Sequence, residues 1–471
     1  MFAIAALGFR RVVRMCRVLS LEAGLIRRAW RGPITIGSGI TSWRVSIRSA
    51  IKEGFMELTG EQQAVLDGSR GDYLAKCMRW LVDWGEVMGA KRLIKVDNTH
   101  ALLPVPNLMA QGASKETMDR YMADLVEACS HGTHPGCTCT VHAAFVTLDE
   151  VDVPENDPEQ VQMQKDLAVL AADAGFIPTF TCAPYLVGNV PLKDEILAWT
   201  ESSAVVYANS ILGARTTRHG TESAIAASLL GLVPEFGVLL DENRKGTLRI
   251  EVTAELEDPP DWGALGYFAG KAAGLGIPVF NGIRRPSQDE AKQLCAALAT
   301  SGGVTMCHIA GVTPEAPTID AAFQGDVPEE YLTFDAETLR ETYESLRVRT
   351  GDEIDSVILG CPHASINELS KIAALLKGKK VAEGVRLWID TARGTKGNAD
   401  RMGYTEIIES AGGRILCDTC PTNMRIPAKR IVTHGFKQAH YARGMVGAEV
   451  IIAKTDACIR AAVAGRWLGD G

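Results

Sequence analysis

The 471-residue chain has no uninterrupted apolar run approaching the roughly 20 residues that a bilayer-crossing helix needs, so no transmembrane helix is expected. It carries neither a Walker nor a Rossmann glycine fingerprint, and no short tandem repeat is visible. Its 12 cysteines form no dense framework, which suits reduced thiols or metal ligation better than disulfides. Surplus positive charge is also missing. The formal net charge is −8, and residues 1–55 alone, with nine Arg and Lys52 against Glu22 and Glu53, hold a net +8. The remainder is therefore at −16, which argues against a nucleic-acid partner. What is present, 46% apolar and 23% charged residues, belongs to an ordinary globular protein with room for two or three domains.

The Arg-rich, acid-poor first 55 residues read as a separate extension. They are either a mitochondrial presequence or text upstream of a true start at Met56; the second reading is favoured, and with it a cytoplasmic location. Beyond Met56, Thr59 can cap a first helix, and Tyr73 to Met88 sets Leu74, Met78, Leu81 and Val82 on one helical face. A short strand from Arg92 to Val96 ends in Asp97, Asn98, Thr99 and His100, and His100 is a substrate-loop candidate.

Strand and helix patterns then alternate. Helices are expected over Lys115–Ala128, Glu159–Ala174, Thr221–Leu230, Pro259–Gly274, Gln288–Ser301, Ala336–Arg347, Ile366–Leu376 and Ala399–Ala411. Strands are expected over Ala143–Leu148, Ile177–Thr181, Thr247–Thr253, Val304–Ile309, Ser356–Leu359, Val385–Asp390 and Arg414–Leu416. This alternation, with polar or glycine loops after the strands, predicts an α/β protein with parallel sheets.

One stretch concentrates the chemistry. FTCAPYLVGNVPLKDEILAWTESSAVVYANSILGARTTR, from Phe180 to Arg218, packs Cys182, Glu201, Ser202, Ser203, Asn209, Ser210 and Arg215 among turn-forming glycines and prolines. Short hydrogen-bonding side chains with one fixed cation suit a small anionic substrate. Cys182, Cys361 and Cys420 each follow a β-like run, at PTFTC, VILGC and RILCDTC. Strand ends far apart in sequence converge in an open α/β sheet, and three thiolates can hold an iron–sulfur cluster that leaves one iron open. Equally, each is a small buried apolar residue.

The run TCAPYLVGNVP…ESSAV.YANS.LGAR resembles the catalytic large subunit of the aconitase X family. MCHIAGVTPEAP, GCPHASINEL and CDTCP resemble later blocks of that family in the same order, and MELTGEQQAVLDGSRGDYLAKCMRWLVDWGEVMGAKRLIKV resembles its amino-terminal block. The likeness runs from about residue 56 to 430 and implies an aconitase-like multi-domain α/β architecture. It divides the chain into the 1–55 extension, a 56–320 region with the substrate loops and a 321–471 region with cluster cysteines.

The resemblance further implies a hydro-lyase that dehydrates a small hydroxy acid, with an iron–sulfur cluster (2Fe–2S or 4Fe–4S) on Cys182, Cys361 and Cys420. Cys307 and Cys417 are the expected substitutes. It implies a base supplied by a small swivelling domain, which this chain lacks, and therefore a separate small subunit. Ser202, Ser203, His308 and Glu315 become catalytic candidates, and His100, Asn209, Ser210 and Arg215 substrate-binding ones. His363 is either a candidate support for the cluster or a helix-start residue. Family substrates are cis-3-hydroxy-L-proline, taken as the leading candidate, and mevalonate 5-phosphate, for which Arg284 and Arg285 offer cations.

The family's usual text is replaced between residues 101 and 142. There CSHGTHPGCTCTVH brings Cys129, His131, His134, Cys137, Cys139 and His142 close in sequence. A rival reading follows, a zinc-dependent hydrolase or lyase, although C-x7-C-x-C-x2-H matches no common zinc module.

Overall fold

The structure is a computed structural model and describes residues 56–469, apart from 104–114, 145, 149–157, 329, 348–349, 423–425, 427 and 446. The 1–55 extension and the Pro154–Pro158 linker, Pro158 excepted, lie outside the described residues.

The chain divides into two compact units. The smaller one holds residues up to Ile94 together with Val233–Phe236. Its helices Gly60–Leu66 and Asp72–Met88 follow the predicted pattern. Thr59 and Gln62 close a reciprocal capping box that satisfies two otherwise orphaned N–H groups. Arg92 grips Glu235 with two hydrogen bonds of 2.6 and 2.8 Å, and Trp84 meets Phe236 edge to face.

The larger unit, Lys95–Leu232 and Gly237–Gly471, contains three parallel sheets. In chain order the strands are β1 (Leu93–Lys95), β2 (Asn98–Ala101), β3 (Thr138–Val141), β4 (Leu197–Trp199) and β5 (Leu232–Pro234). Next come β6 (Leu248–Val252), β7 (Pro278–Asn281), β8 (His308–Ile309) and β9 (Glu330–Phe334). The last five are β10 (Ser356–Leu359), β11 (Arg386–Thr391), β12 (Gly413–Cys417), β13 (Arg430–Thr433) and β14 (Glu449–Ile452). The sheets run β3-β2-β4, β8-β7-β6-β9 and β12-β11-β10-β13-β14, while β1 pairs with β5.

Ser356–Leu359, Thr221–Leu230, Gln288–Ser301 and Ile366–Leu376 fall where the sequence places them. Others shift. The strand expected at Ala143–Leu148 forms earlier, at Thr138–Val141, beside β2. Val304–Ile309 shortens to two residues, and Ile177–Thr181 contributes a single bridge to Thr140. The Ala399–Ala411 helix is two helices, Arg393–Arg401 and Tyr404–Ser410, parted at Gly403, whose φ is +74°. The stretch after Cys420 is not spare: β13, β14 and their helices complete the five-stranded sheet.

Two apolar cores result. One lies under β10–β12 and β13–β14 and is built on Val357, Leu359, Leu387, Ile389, Val432 and Ile451. The other joins the opposite face of the same sheet, Ile358, Trp388, Leu416 and Ile431, to Trp199, Ile250, Trp262 and Phe280. The alternation of neighbouring strand residues between two cores is what a sheet covered on both faces requires. Because every strand in the sheets is parallel, their carboxyl ends gather at one rim, the usual place for chemistry in such folds.

Candidate active site

Two loops that leave that rim, after β10 and β12, and the loop after Ile177 carry buried cysteines. Cys182, Cys361 and Cys420 are 5%, 3% and 7% exposed. Each loop bends through the left-handed region just ahead of its cysteine, at Phe180 (φ +39°), Gly360 (φ +92°) and Asp418 (φ +65°). Glycine takes this conformation freely, whereas a phenylalanine there is strained and must be held by its surroundings. Space is tight as well: a Cβ at Gly360 would lie 2.1 Å from the Asp390 carbonyl oxygen, and one at Gly435 2.5 Å from that of Cys361. Asp418 is fixed by the Arg393 guanidinium, with Nε donating at 2.8 Å.

The loops are stitched to one another. Ala144 N–H donates to the Asp418 carbonyl and Cys420 N–H to the Ala144 carbonyl, both at 2.8 Å, so the loop after β3 pairs with the loop after β12. His363 N–H donates to Cys182 Sγ at 3.2 Å, and Cys361 Sγ lies 3.2 Å from Thr422 Oγ1. Burial raises the Cys182 thiol well above its ordinary range, helped by Glu201 and by the other two cysteines. Cys361 is pushed up to about 12, again chiefly by burial. Thiols so raised stay protonated until a cation displaces the proton.

Beside them sits a buried charge cluster. Glu201, just past β4, is 8% exposed and accepts from His142 Nε2 at 2.7 Å, from Ser203 N–H at 3.0 Å and from Ser203 Oγ–H at 2.8 Å. It also accepts from the Lys437 ammonium. Although burial opposes ionisation, Lys437 and His142 hold the Glu201 carboxyl well below its ordinary range. His142 Nδ1 faces the Ala143 carbonyl at 2.9 Å. Each His142 nitrogen thus has an oxygen neighbour, which fixes the ring between the Ala143 carbonyl and the Glu201 carboxylate. Lys437 is held charged by Glu201 and by the neighbouring Cys361 and Cys182, which outweigh its burial.

His100 lies at the edge of this group, fully buried, with its ring 5.8 Å from that of His142 and Nδ1 2.9 Å from Thr140 Oγ1. Burial lowers it to about 3, so it is neutral. Ser202 Oγ reaches Glu201 at 3.4 Å.

Asn209, His308 and Glu315 belong to another network, centred on Arg244, whose side chain is 1% exposed. Arg244 Nε donates to Glu315 Oε2 at 2.7 Å, and its Nη2 donates to the Asn209 carbonyl at 3.0 Å. His308 Nε2–H donates to the Arg244 carbonyl at 2.8 Å. Asn209 and Ser210 occupy a π turn after the helix Ser202–Tyr207. Asn209 Nδ2 donates to the Thr216 and Thr305 carbonyls, and Ser210 Oγ accepts from Cys307 N–H. Arg215 is divided between Asp194 and Asp241. Cys307 is buried in the apolar core beside Cys295, and Cys417 is the last residue of β12.

The Cys/His-rich segment does not gather. His131 pairs with Glu127, His134 packs against Gly231, Cys137 and Cys139 adjoin each other, and His142 joins Glu201. Among the described residues, no group of three or more His, Cys, Asp or Glu converges to hold a single metal ion. That geometry argues against a mononuclear zinc centre. Three buried thiols from separate loops, with cationic Lys437 beside Cys182 and Cys361, are a fitting donor set for an iron–sulfur group.

Sequence reasoning missed Lys437, Arg244 and the role of His142. Lys437 carries a readable signal, a lysine four residues beyond the β13 strand end; Arg244 carries none.

The chain belongs to the aconitase X family: models of the aconitase X first, second and third domains match residues 55–242, 246–344 and 354–464. It is 36% identical over 402 residues to the phosphomevalonate dehydratase large subunit of Methanothermobacter thermautotrophicus, covering 84% of this chain and 96% of that one. It is 34% identical over 426 residues to the cis-3-hydroxy-L-proline dehydratase of Pseudomonas aeruginosa, covering 87% of this chain and 71% of that one. The crystal structure of Thermococcus kodakaraensis aconitase X in its holo-form superposes with a TM-score of 0.76 at 34% identity, covering 86% of this chain and all of that one.

Proposed function

We infer that the chain is the large subunit of an iron–sulfur-dependent dehydratase of a small hydroxy acid, with its active site at the rim between Cys182, Cys361, Cys420 and Glu201. The convergence of three buried thiols from three distant loops carries this reading. Those thiols would hold the group, which when bound supplies a Lewis acid able to polarise a leaving hydroxyl. Lys437 and Glu201 form a buried ion pair, with His142 on the second carboxylate oxygen, and so set a preorganised polar group beside the thiols. Glu201 holds Lys437 and His142 in place and keeps Lys437 charged. The rim's burial excludes water from the reacting groups.

Near-complete coverage of a relative named as a large subunit supports a second, small subunit that completes the site. cis-3-Hydroxy-L-proline remains the leading substrate. Mevalonate 5-phosphate is the second, favoured by Arg285, which with Tyr207 and Thr313 lines a cavity of about 190 Å³. Arg284 is less suited, because it is paired with Glu290.

The test is anaerobic assay of the chain with its small subunit against both compounds. Substrate-dependent loss of water from either supports the reading. Loading with iron and sulfide but no turnover of hydroxy acids would overturn it.

A further inference from the structure

One residue touches all three cysteine loops. His363 stands two residues after Cys361, and its N–H donates to Cys182 Sγ at 3.2 Å. Its ring spans the other two loops: Nδ1 is 3.0 Å from Thr181 Oγ1, next to Cys182, and Nε2 is 2.6 Å from the Thr419 carbonyl, next to Cys420. A carbonyl only accepts, so Nε2 carries the proton. In the neutral ring Nδ1 is then an acceptor, and Thr181 Oγ–H donates to it. Ala183 N–H donates in turn to Thr181 Oγ1 at 3.1 Å. The result is a directed chain from Ala183 through Thr181 and His363 to Thr419.

His363 is itself anchored. Fully buried Lys292 donates to the His363 carbonyl at 2.9 Å and is neutralised by Glu368. At 1% exposure the ring is closed off from solvent.

We propose that His363 is a positioning residue whose ring and backbone hold Cys182, Cys361 and Cys420 in one thiol cage. This rests on the iron–sulfur reading above. The bridge sets where three thiols stand before any group binds, which is how outer hydrogen bonds around metal ligands raise affinity.

The test is iron, sulfide and visible absorption of anaerobically reconstituted protein, with chelator competition, for wild type, His363→Ala, His363→Gln and Thr181→Val. His363→Ala is expected to lose its iron at least about 10-fold more readily, the scale known for such outer partners. His363→Gln, which can restore a donor to Thr419, should recover part of that, with far-UV circular dichroism unchanged throughout. Thr181→Val removes only the hydroxyl donor and should fall between; it decides the matter if His363→Ala misfolds. Equal retention by wild type and both His363→Ala and Thr181→Val overturns the proposal alone. A wild type that takes up no iron or sulfide overturns the cofactor reading and the proposal with it.

Discussion

Two groups of cysteines in this chain behave in opposite ways. Cys129, Cys137 and Cys139 lie within 11 residues alongside three histidines, yet their neighbours turn to separate partners in the fold. Cys182, Cys361 and Cys420 span more than half the chain, yet one histidine bridges their loops. A β-strand sends successive side chains to opposite faces, so Cys139, Thr140 and Val141 in β3 cannot all look the same way. Parallel strands, by contrast, deliver distant residues to one rim. Closeness along the chain is therefore a poor guide to a site in this fold, and position at a strand end is a good one.

The sharpest way to break this contrast is to remove single thiols. Cys182→Ser, Cys361→Ala or Cys420→Ser should each abolish iron retention and dehydratase turnover, measured anaerobically, while leaving the circular dichroism of the fold intact. The charge cluster comes next. Lys437→Met leaves Glu201 buried without its ammonium partner, and should lower stability by about 3 kcal/mol in chemical denaturation and cut turnover far more than binding. Lys292→Met strands Glu368 and Asp289 in the same way and should cost about 3–5 kcal/mol.

Acid gives a smaller, graded effect. Burial depresses His100 and His434 to about 3, so below the ordinary histidine range near 6.5 the unfolded chain binds protons that the folded one refuses. Stability should then fall steadily as pH drops from about 6.5 toward 3 in urea titrations, and His434→Gln should flatten that slope. The smallest effect belongs to the dense segment. Cys137→Ser and His131→Gln should change stability by no more than about 0.5 kcal/mol and leave iron content alone.

The α/β class and most helices were legible because hydrophobic period is a local signal. Thr59–Gln62 and Ser365–Glu368 announce their helices as capping boxes. The Arg244 network was not legible, because its partners Asn209, Glu315 and His308 meet only through tertiary packing. In sequence Asn209 is a substrate-binding candidate and His308 and Glu315 are catalytic ones; in the fold each bonds Arg244. Lys437 escaped notice for the related reason that its partner Glu201 lies 236 residues away. The early β3 strand was missed because its polar, cysteine-rich text hides a strand buried at three of four positions.

The most direct test measures iron, sulfide and zinc together in anaerobically purified protein, for the wild type, Cys361→Ala and the Cys137→Ser, Cys139→Ser double variant. The expected result is iron with sulfide and a brown charge-transfer absorption in the wild type and the double variant, and neither in Cys361→Ala. Zinc without iron, or iron that survives in Cys361→Ala but leaves with Cys137 and Cys139, would contradict the account.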